Sequence, residues 1–553
     1  MKTILTIICL VWPVASFAQT EFSTRNPVGL FEDMKADTVT ADLFNHFAPT
    51  PDLKFTITSP VPGEAICAHT ATMAALDFDN DGDQDFIMGG PAYEGEPPAR
   101  LLLSNGDGTF TVSAAAGLPP RLITAVAGDF DNDGWTDILG LTIRGGNRFE
   151  SWEIAEHSDI EPATFHLVYL KNDNGKTLRD LTARVFPADA QGFSGNDLLV
   201  ADFDQDGWLD FSLVRDPETD QSSRHFFHGA AQGFHFAGYF TIGFEQPLSS
   251  CFDVDDDGDI DILVQQGSYF PGGVRPLNWW ANDGGNWSPM GTFPLPQRSR
   301  QRGVIPADVN NDGLYDLFGC SSDFKGGTNQ LYMNGGHGKY TDRGKEAGLW
   351  AGYNHTMGPV LGDWNNDTWL DHLQLRVFNE GKYTESALFL NDAGKRFLNI
   401  TARVNGPLGP GSVGGLALDA DLDGDLDIIL SHETLWFSKT PLEDTALKLI
   451  RNDSRTGNWL EIQLEGTVSN RSAIGGQARV FLGDGSLLQS VAGGTIWGIC
   501  QPPLPMHFGL GPAAAADSVV VRWPSGNFEV WPDLVGNQRV VLIEGEGESR
   551  SGR

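Results

Sequence analysis

Asp77, Asp79, Asp81 and Asp85 alternate with other residues around a central glycine, Gly82, in the phrase DFDNDGDQD, and that spacing is chemistry for a hard divalent cation. Ca²⁺ takes six to eight oxygens, and a tight loop delivers carboxylates from positions 1, 3, 5 and 9 with a main-chain carbonyl from position 7. Glycine at position 6 adopts the positive φ that wrapping an ion requires, with no Cβ to clash. The phrase returns six times, with candidate ligands Asp129, Asp131, Asp133 and Asp137; Asp202, Asp204, Asp206 and Asp210; Asp253, Asp255, Asp257 and Asp261; Asp308, Asn310, Asp312 and Asp316; Asp363, Asn365, Asp367 and Asp371; and Asp419, Asp421, Asp423 and Asp427. Asp and Gly also populate ordinary turns. Seven copies in one register make a ligand pattern instead, and up to seven Ca²⁺ ions are expected. In the sixth copy Thr368 replaces the glycine. A β-branched residue at positive φ costs about 1–3 kcal/mol, so the loop at Asp363 is expected to be the weakest.

The elements that must hold these loops are short strands. Apolar runs flank each phrase, such as ATMAAL before and FIMGG after the first. Turn phrases follow around Asn105, Asn172, Asn282, Asn334, Asn391 and Asn452, with His228 at the matching place in the third unit. Asn and Gly between apolar alternations signal hairpins, because they tolerate the left-handed backbone of tight turns. Successive phrases start 52, 73, 51, 55, 55 and 56 residues apart, the length of a four-stranded propeller blade. A parallel β-helix of calcium repeats has a period of about nine residues. The expected fold is therefore all-β: a seven-bladed β-propeller with calcium-binding loops, followed by a small all-β C-terminal domain.

The repeated phrases resemble FG-GAP/VCBS repeats over residues 65–455, and NRSAIGGQARVFLGDG, HFGLG and VVVRWPSG resemble the ASPIC/UnbV domain. Together they are similar to the cartilage-acidic-protein family and its bacterial relatives. The resemblance implies a propeller fold and calcium binding. No cysteine-rich module of the EGF kind follows, and the stretch TIWGICQPPLPM from Thr495 to Met506 does not map onto the pattern.

Lys2, the apolar run from Ile4 to Val14 and the Ser16-Phe17-Ala18 triplet read as a secretory signal, which implies export to the surface, periplasm or medium. The expected organisation is a signal peptide at 1–18, a segment at 19–64 that completes the propeller, the propeller at 65–446, the ASPIC/UnbV-like domain at 447–545 and a flexible tail at 546–553. A net charge of −36 makes nucleic acid and anionic membrane poor partners. Seven Ca²⁺ ions would offset about 14 of those charges, so metal is expected to stabilise the fold. No apolar run reaches the length of a transmembrane helix. Cys67, Cys251, Cys320 and Cys500 remain after the signal; free thiols and one or two bridges are equally compatible with their wide spacing.

Residues about eight before each loop are expected at one mouth of the central channel, and they include His69, Arg121, Glu245, Arg300 and His355. Such a funnel suits an anionic ligand or acid–base chemistry. Trp135, Trp208 and Trp369 sit at position 7 of their loops, where an indole either stacks on a partner or packs on its own hairpin. Two functions follow. One is an extracellular binding, adhesion or scaffold module for a protein or glycan. The alternative is a lyase or dehydratase acting on a carbohydrate or other small anion at the funnel.

Overall fold

Each acidic phrase joins the first two strands of an antiparallel sheet, and the hairpin that follows supplies the third and fourth. In the computed structural model, which describes residues 53–62, 72–89, 98–113, 117–144, 164–187, 190, 193, 197–215, 222–242, 248–265, 277–292, 301–321, 329–336, 339–349, 354–379, 382–409, 411–432, 446–494 and 500–550, seven such sheets follow one another. Blade 1 contains Met73–Leu76, Asp85–Met88, Arg100–Ser104 and Phe110–Val112. Blades 2 to 6 repeat the order, from Leu122–Gly128 to Phe397–Asn399. Blade 7 is closed by both ends of the repeat region: Phe55–Thr58 pairs antiparallel with Lys448–Asn452, beyond Asp427–His432 and Ser412–Leu418. This is the architecture of a β-propeller.

First strands are short and apolar because they are buried on both faces; Leu122–Gly128 is buried throughout. The first strands of adjacent blades are tied directly, as Ser250 Oγ donates to the Val304 carbonyl. Within blade 3 a buried ion pair joins Arg224 to Asp197, and Arg224 Nη2 also donates to Ser249 Oγ of blade 4 at 2.7 Å.

The C-terminal region adds two sheets. One is Met506–Gly511, Asn458–Glu465 and Gln538–Ile543; the other runs Gly485–Ser490, Gln477–Leu482, Ala515–Arg522, Phe528–Val535 and Glu548–Arg550. Two expected boundaries shift. Lys448–Asn452 belongs to blade 7, so the propeller runs past 446. Glu548–Arg550, expected in a flexible tail, pairs with Phe528–Val530, because an edge strand exposes donors and acceptors that an extended chain can satisfy.

The stretch that the sequence left unmapped joins the two regions. Cys500–Gln501 pairs in parallel with Met73–Ala74 of blade 1, and Gln501 Nε2 donates to the Ala127 carbonyl of blade 2 at 2.9 Å. Gly493 lies so close to blade 3 that a Cβ there would stand 1.8 Å from the Val200 carbonyl oxygen. The C-terminal chain thus enters the channel, leaving a cavity of about 230 Å³ lined by the first strands of blades 3 to 7 and by Leu488–Gly494. Cys251, Cys320 and Cys500 are free thiols, and burial pushes all three up to about 12; Cys67 lies outside the described residues. Among the described residues no helix is long and apolar enough to cross a membrane.

Candidate metal centres and the domain that covers them

The seven loops share one backbone design. Position 4 takes a left-handed conformation in every loop, with φ from 51° at Asn366 to 64° at Asp256. Position 6 follows at positive φ; Thr368 does so at 86°, the conformation its β-branch opposes. The position-1 carboxylate staples this bend, accepting the N–H of positions 5 and 6: Asp202 Oδ1 from Asp206 at 3.0 Å and Asp202 Oδ2 from Gly207 at 2.9 Å. The position-9 carboxylate is buried and anchors the loop to the third strand. Asp261 accepts from Val254 and Asn282, both at 2.9 Å.

This design brings the predicted ligands together. Carboxylate oxygens of Asp77, Asp79 and Asp85 lie within 4.8 Å of one another, as do those of Asp129, Asp131 and Asp137, of Asp253, Asp255 and Asp261, and of Asp202, Asp204 and Asp206. Burial pushes Asp85, Asp261 and Asp316 up to about 7, and it raises Asp363 and Asp371 well above the ordinary carboxylate range. The donor set fits a bound cation on a further observation. At position 3, Oδ1 of Asp131, Asp204, Asn365 and Asp421 is buried and accepts no hydrogen bond, although a buried acceptor ordinarily finds a donor. A cation at the focus of the loop would satisfy these oxygens.

The loops are not equal, and the difference lies in a residue that the sequence pattern passed over. The main-chain N–H that binds the position-9 carboxylate comes from Asn172, Asn282, Asn334, Asn391 and Asn452, but from Ser104 in blade 1 and Gly229 in blade 3. Gly229, not His228, therefore takes the asparagine's place, and Ser104 takes it rather than Asn105. In three blades the preceding residue reaches position 3 of its own loop. It is apolar in blades 1, 4, 5 and 6, but it is Lys171 in blade 2, His228 in blade 3 and Arg451 in blade 7. Lys171 Nζ binds Asp131 and lies 2.6 Å from Asp133, while Tyr169 Oη donates to Asp137 at 2.5 Å. Blade 2 thus carries its own cation. Lys171→Met, which copies Met333 of blade 5, is expected to strengthen calcium binding at this loop by about tenfold or more, or ~1.4 kcal/mol. Calorimetric titration should then count one more calcium than in the unsubstituted chain; an unchanged count refutes the assignment.

The loops also bind one another. The position-4 side chain donates to the position-6 carbonyl of the next loop: Asn80 to Gly134 at 2.9 Å, Asn132 to Gly207 at 3.1 Å, Gln205 to Gly258 at 3.3 Å, Asn311 to Thr368 at 3.0 Å and Asn366 to Gly424 at 3.1 Å. Asp256 and Leu422 cannot donate, which leaves Gly313 and Gly82. Both carbonyls are met from the C-terminal domain, Gly313 by Arg479 Nη2 at 2.9 Å and Gly82 by Arg539 Nη1 at 3.3 Å.

That domain also meets the loops of blades 2, 4 and 6. Arg471 Nε lies 3.8 Å from Asp129, and Ser472 Oγ accepts the Asp129 N–H at 2.8 Å. Arg522 Nη1 binds Asp253 at 2.8 Å and Asp256 at 3.1 Å. His507 Nε2 meets Asn366 Oδ1 at 2.8 Å, and a Cβ on Gly509 would lie 2.0 Å from Asp363 Oδ2. The phrases NRSAIGG, RWPSG and HFGLG therefore each place a residue on a loop of the propeller. An ionised carboxylate has about four lone-pair sites, so a position-1 aspartate can hold its own N–H groups, an arginine and an ion together.

This pairing of modules is also what the comparisons find. A model described as an FG-GAP-like repeat matches residues 77–140, 253–319 and 308–373, and one described as ASPIC and UnbV matches 466–549. The chain carries FG-GAP-like repeats and a C-terminal ASPIC and UnbV domain. Among curated proteins it is similar to cartilage acidic protein 1 of Mus musculus, 25% identical over 283 residues, and of Homo sapiens, 26% identical over 283 residues. The matched stretch is 41% of this chain and spans 42% and 41% of those two relatives.

The funnel residues fare differently. Arg121 is half-buried in the turn that enters blade 2. His69, Glu245 and Arg300 lie outside the described residues, as does the side chain of His355, whose backbone belongs to Asn354–Gly362. The secretory signal read at 1–18 lies outside them as well. The three tryptophans are half-buried; a Cβ on Gly175 would come within 2.9 Å of Trp135, and one on Gly394 within 3.0 Å of Trp369, so two of the indoles pack on their own hairpins.

Proposed function

We propose that this chain is an exported, calcium-stabilised propeller that serves as an extracellular binding, adhesion or scaffold module, with its ASPIC and UnbV domain clasped over the metal loops. The supporting observation is the convergence of three carboxylates within 4.8 Å in the loops at Asp77 and Asp253, together with the buried position-3 oxygens of Asn365 and Asp421 that meet no hydrogen-bond donor. Calcium would bind carboxylates that otherwise repel one another, and the arginines of the C-terminal domain would share the same aspartates. The signal-like N-terminus and the suitability of such loops to the millimolar calcium of extracellular modules support export.

The partner is an extracellular protein or glycan, which a surface of net charge −36 selects for basic or neutral character. Retention of the full chain on arrays of matrix proteins and glycans, with calcium and with chelator, tests this reading. Calcium-dependent retention without altered ligand supports it. The appearance of unsaturated or cleaved sugar would replace it with a catalytic reading centred on His69, Arg121, Glu245, Arg300 and His355.

A further inference from the structure

The third loop is built from different donors. His228 Nδ1 lies 2.6 Å from Asp204 Oδ2, and donor atoms of Asp204, Asp210 and His228 lie within 4.8 Å of one another. Oδ1 of Asp204 is buried without a hydrogen-bond partner. The site has a wall: a Cβ on Gly285, in the hairpin of blade 4, would stand 3.3 Å from Asp204 Cβ and 3.6 Å from His228 Cε1. Both side chains are therefore largely enclosed, with 15% of His228 and 22% of Asp204 exposed.

Calcium selects oxygen, whereas imidazole suits zinc, copper, iron and nickel, with mixed nitrogen and carboxylate sets common for zinc. We propose that the loop of blade 3 is not a calcium site but binds one divalent first-row transition ion of the zinc class, through His228 Nδ1 with Asp204, Asp210 and Asp202. The ring proton then sits on Nε2, and the hydrogen bond between His228 and Asp204 gives way to one bond from each to the ion. Two ligands about 2.1 Å from a tetrahedral metal stand about 3.4 Å apart, so the pair, now at 2.6 Å, opens by about 0.8 Å. The same strand position that carries a resident ammonium in blade 2 carries a metal ligand in blade 3, so the two loops leave the calcium pattern by different routes.

This inference deepens the calcium reading and rests on it only for the loop being a metal site. The test uses the full chain in saturating calcium, with Co²⁺ as the probe read by its visible absorption and Zn²⁺ as competitor. One equivalent of Co²⁺ is expected to bind and to be displaced by Zn²⁺. His228→Leu, which copies Leu103 and Leu390 of blades 1 and 6, is expected to weaken cobalt binding by about 100-fold while the other loops keep their calcium. His228→Lys, which copies Lys171, should do the same and guards against a packing defect in the leucine variant. His235→Ala, whose ring centroid lies 5.7 Å from that of His228, should bind cobalt as before. Cobalt binding that is absent from the unsubstituted chain, or unchanged in both His228 variants, overturns the proposal. If calcium binds no loop while cobalt binds through His228, the calcium reading falls and this one stands.

Discussion

Chelation of calcium is expected to lower the melting temperature of the full chain by about 20 °C. A ligand that binds only the folded state contributes ~2.7 kcal/mol at a hundredfold excess over its Kd, so four filled loops contribute ~11 kcal/mol. At ~2 °C per kcal/mol for a large domain, that reaches about 20 °C. The metal-free protein should also invert its response to pH. Burial pushes Asp85, Asp261 and Asp316 up to about 7, against an ordinary carboxylate value of 3.8. The folded chain then binds more protons than the unfolded one between those values. The stability from these protons is full below the ordinary value and is lost as pH rises through 7. Chelated protein should melt higher at pH 5.5 than at pH 8, and calcium-loaded protein should do the opposite, because acid displaces the ion. Thermal denaturation at both pH values, with calcium and with chelator, decides the matter. A shift below about 5 °C on chelation, or the same pH trend in both states, would leave the loops without a metal-dependent role.

Arg539→Ala is the substitution expected to loosen the C-terminal domain most. Its guanidinium lies 3.0 Å from Glu461, 3.3 Å from Asp419 and 3.3 Å from the Gly82 carbonyl, so it spans blades 7 and 1 and its own domain. Burial raises the pKa of Glu461, and Arg539 is the cation that counters that effect. Removal leaves a buried carboxylate and a carbonyl without their donor. Breaking a fully buried pair costs about 3–5 kcal/mol. Arg539 remains 26% exposed, and solvent screening brings the expected loss to about 2–3 kcal/mol. Limited proteolysis should release the C-terminal domain while the propeller stays intact. Arg455 is the control: it is 82% exposed and 4.0 Å from Asp423, and Arg455→Ala should change stability by less than about 0.5 kcal/mol. Equal protease resistance of Arg539→Ala and the unsubstituted chain would show that the arginine does not seat the domain.

The loops and blades were legible because their signals are local. Position 1 staples the bend within five residues, and position 6 announces itself as glycine in six of the seven loops. Asparagine at position 4 was equally visible, in Asn80, Asn132, Asn311 and Asn366, but its role is to reach the neighbouring loop, and one copy of the motif does not contain that loop. The role of Lys171 was hidden because its aspartates lie 40 and 38 residues earlier and meet it only across a blade. Arg539 was further out of reach, since its carbonyl partner at Gly82 is 457 residues away. The first and third hairpins were misaligned by one residue because the anchor is a main-chain N–H in every blade, and Ser104 and Gly229 carry no asparagine side chain to mark it.

A propeller of seven like blades offers a capping domain seven nearly equivalent angles of seating. The loop-to-loop hydrogen bonds remove that degeneracy. Their two missing links fall between blades 4 and 5 and between blades 7 and 1, and Arg479 and Arg539 answer those two. Around the circle the gaps are three steps apart one way and four the other, so no rotation other than the observed one places both arginines opposite a waiting carbonyl. Asp256 and Leu422, which read as lapses in the repeat, act as an index mark that fixes the angle at which the cap is set.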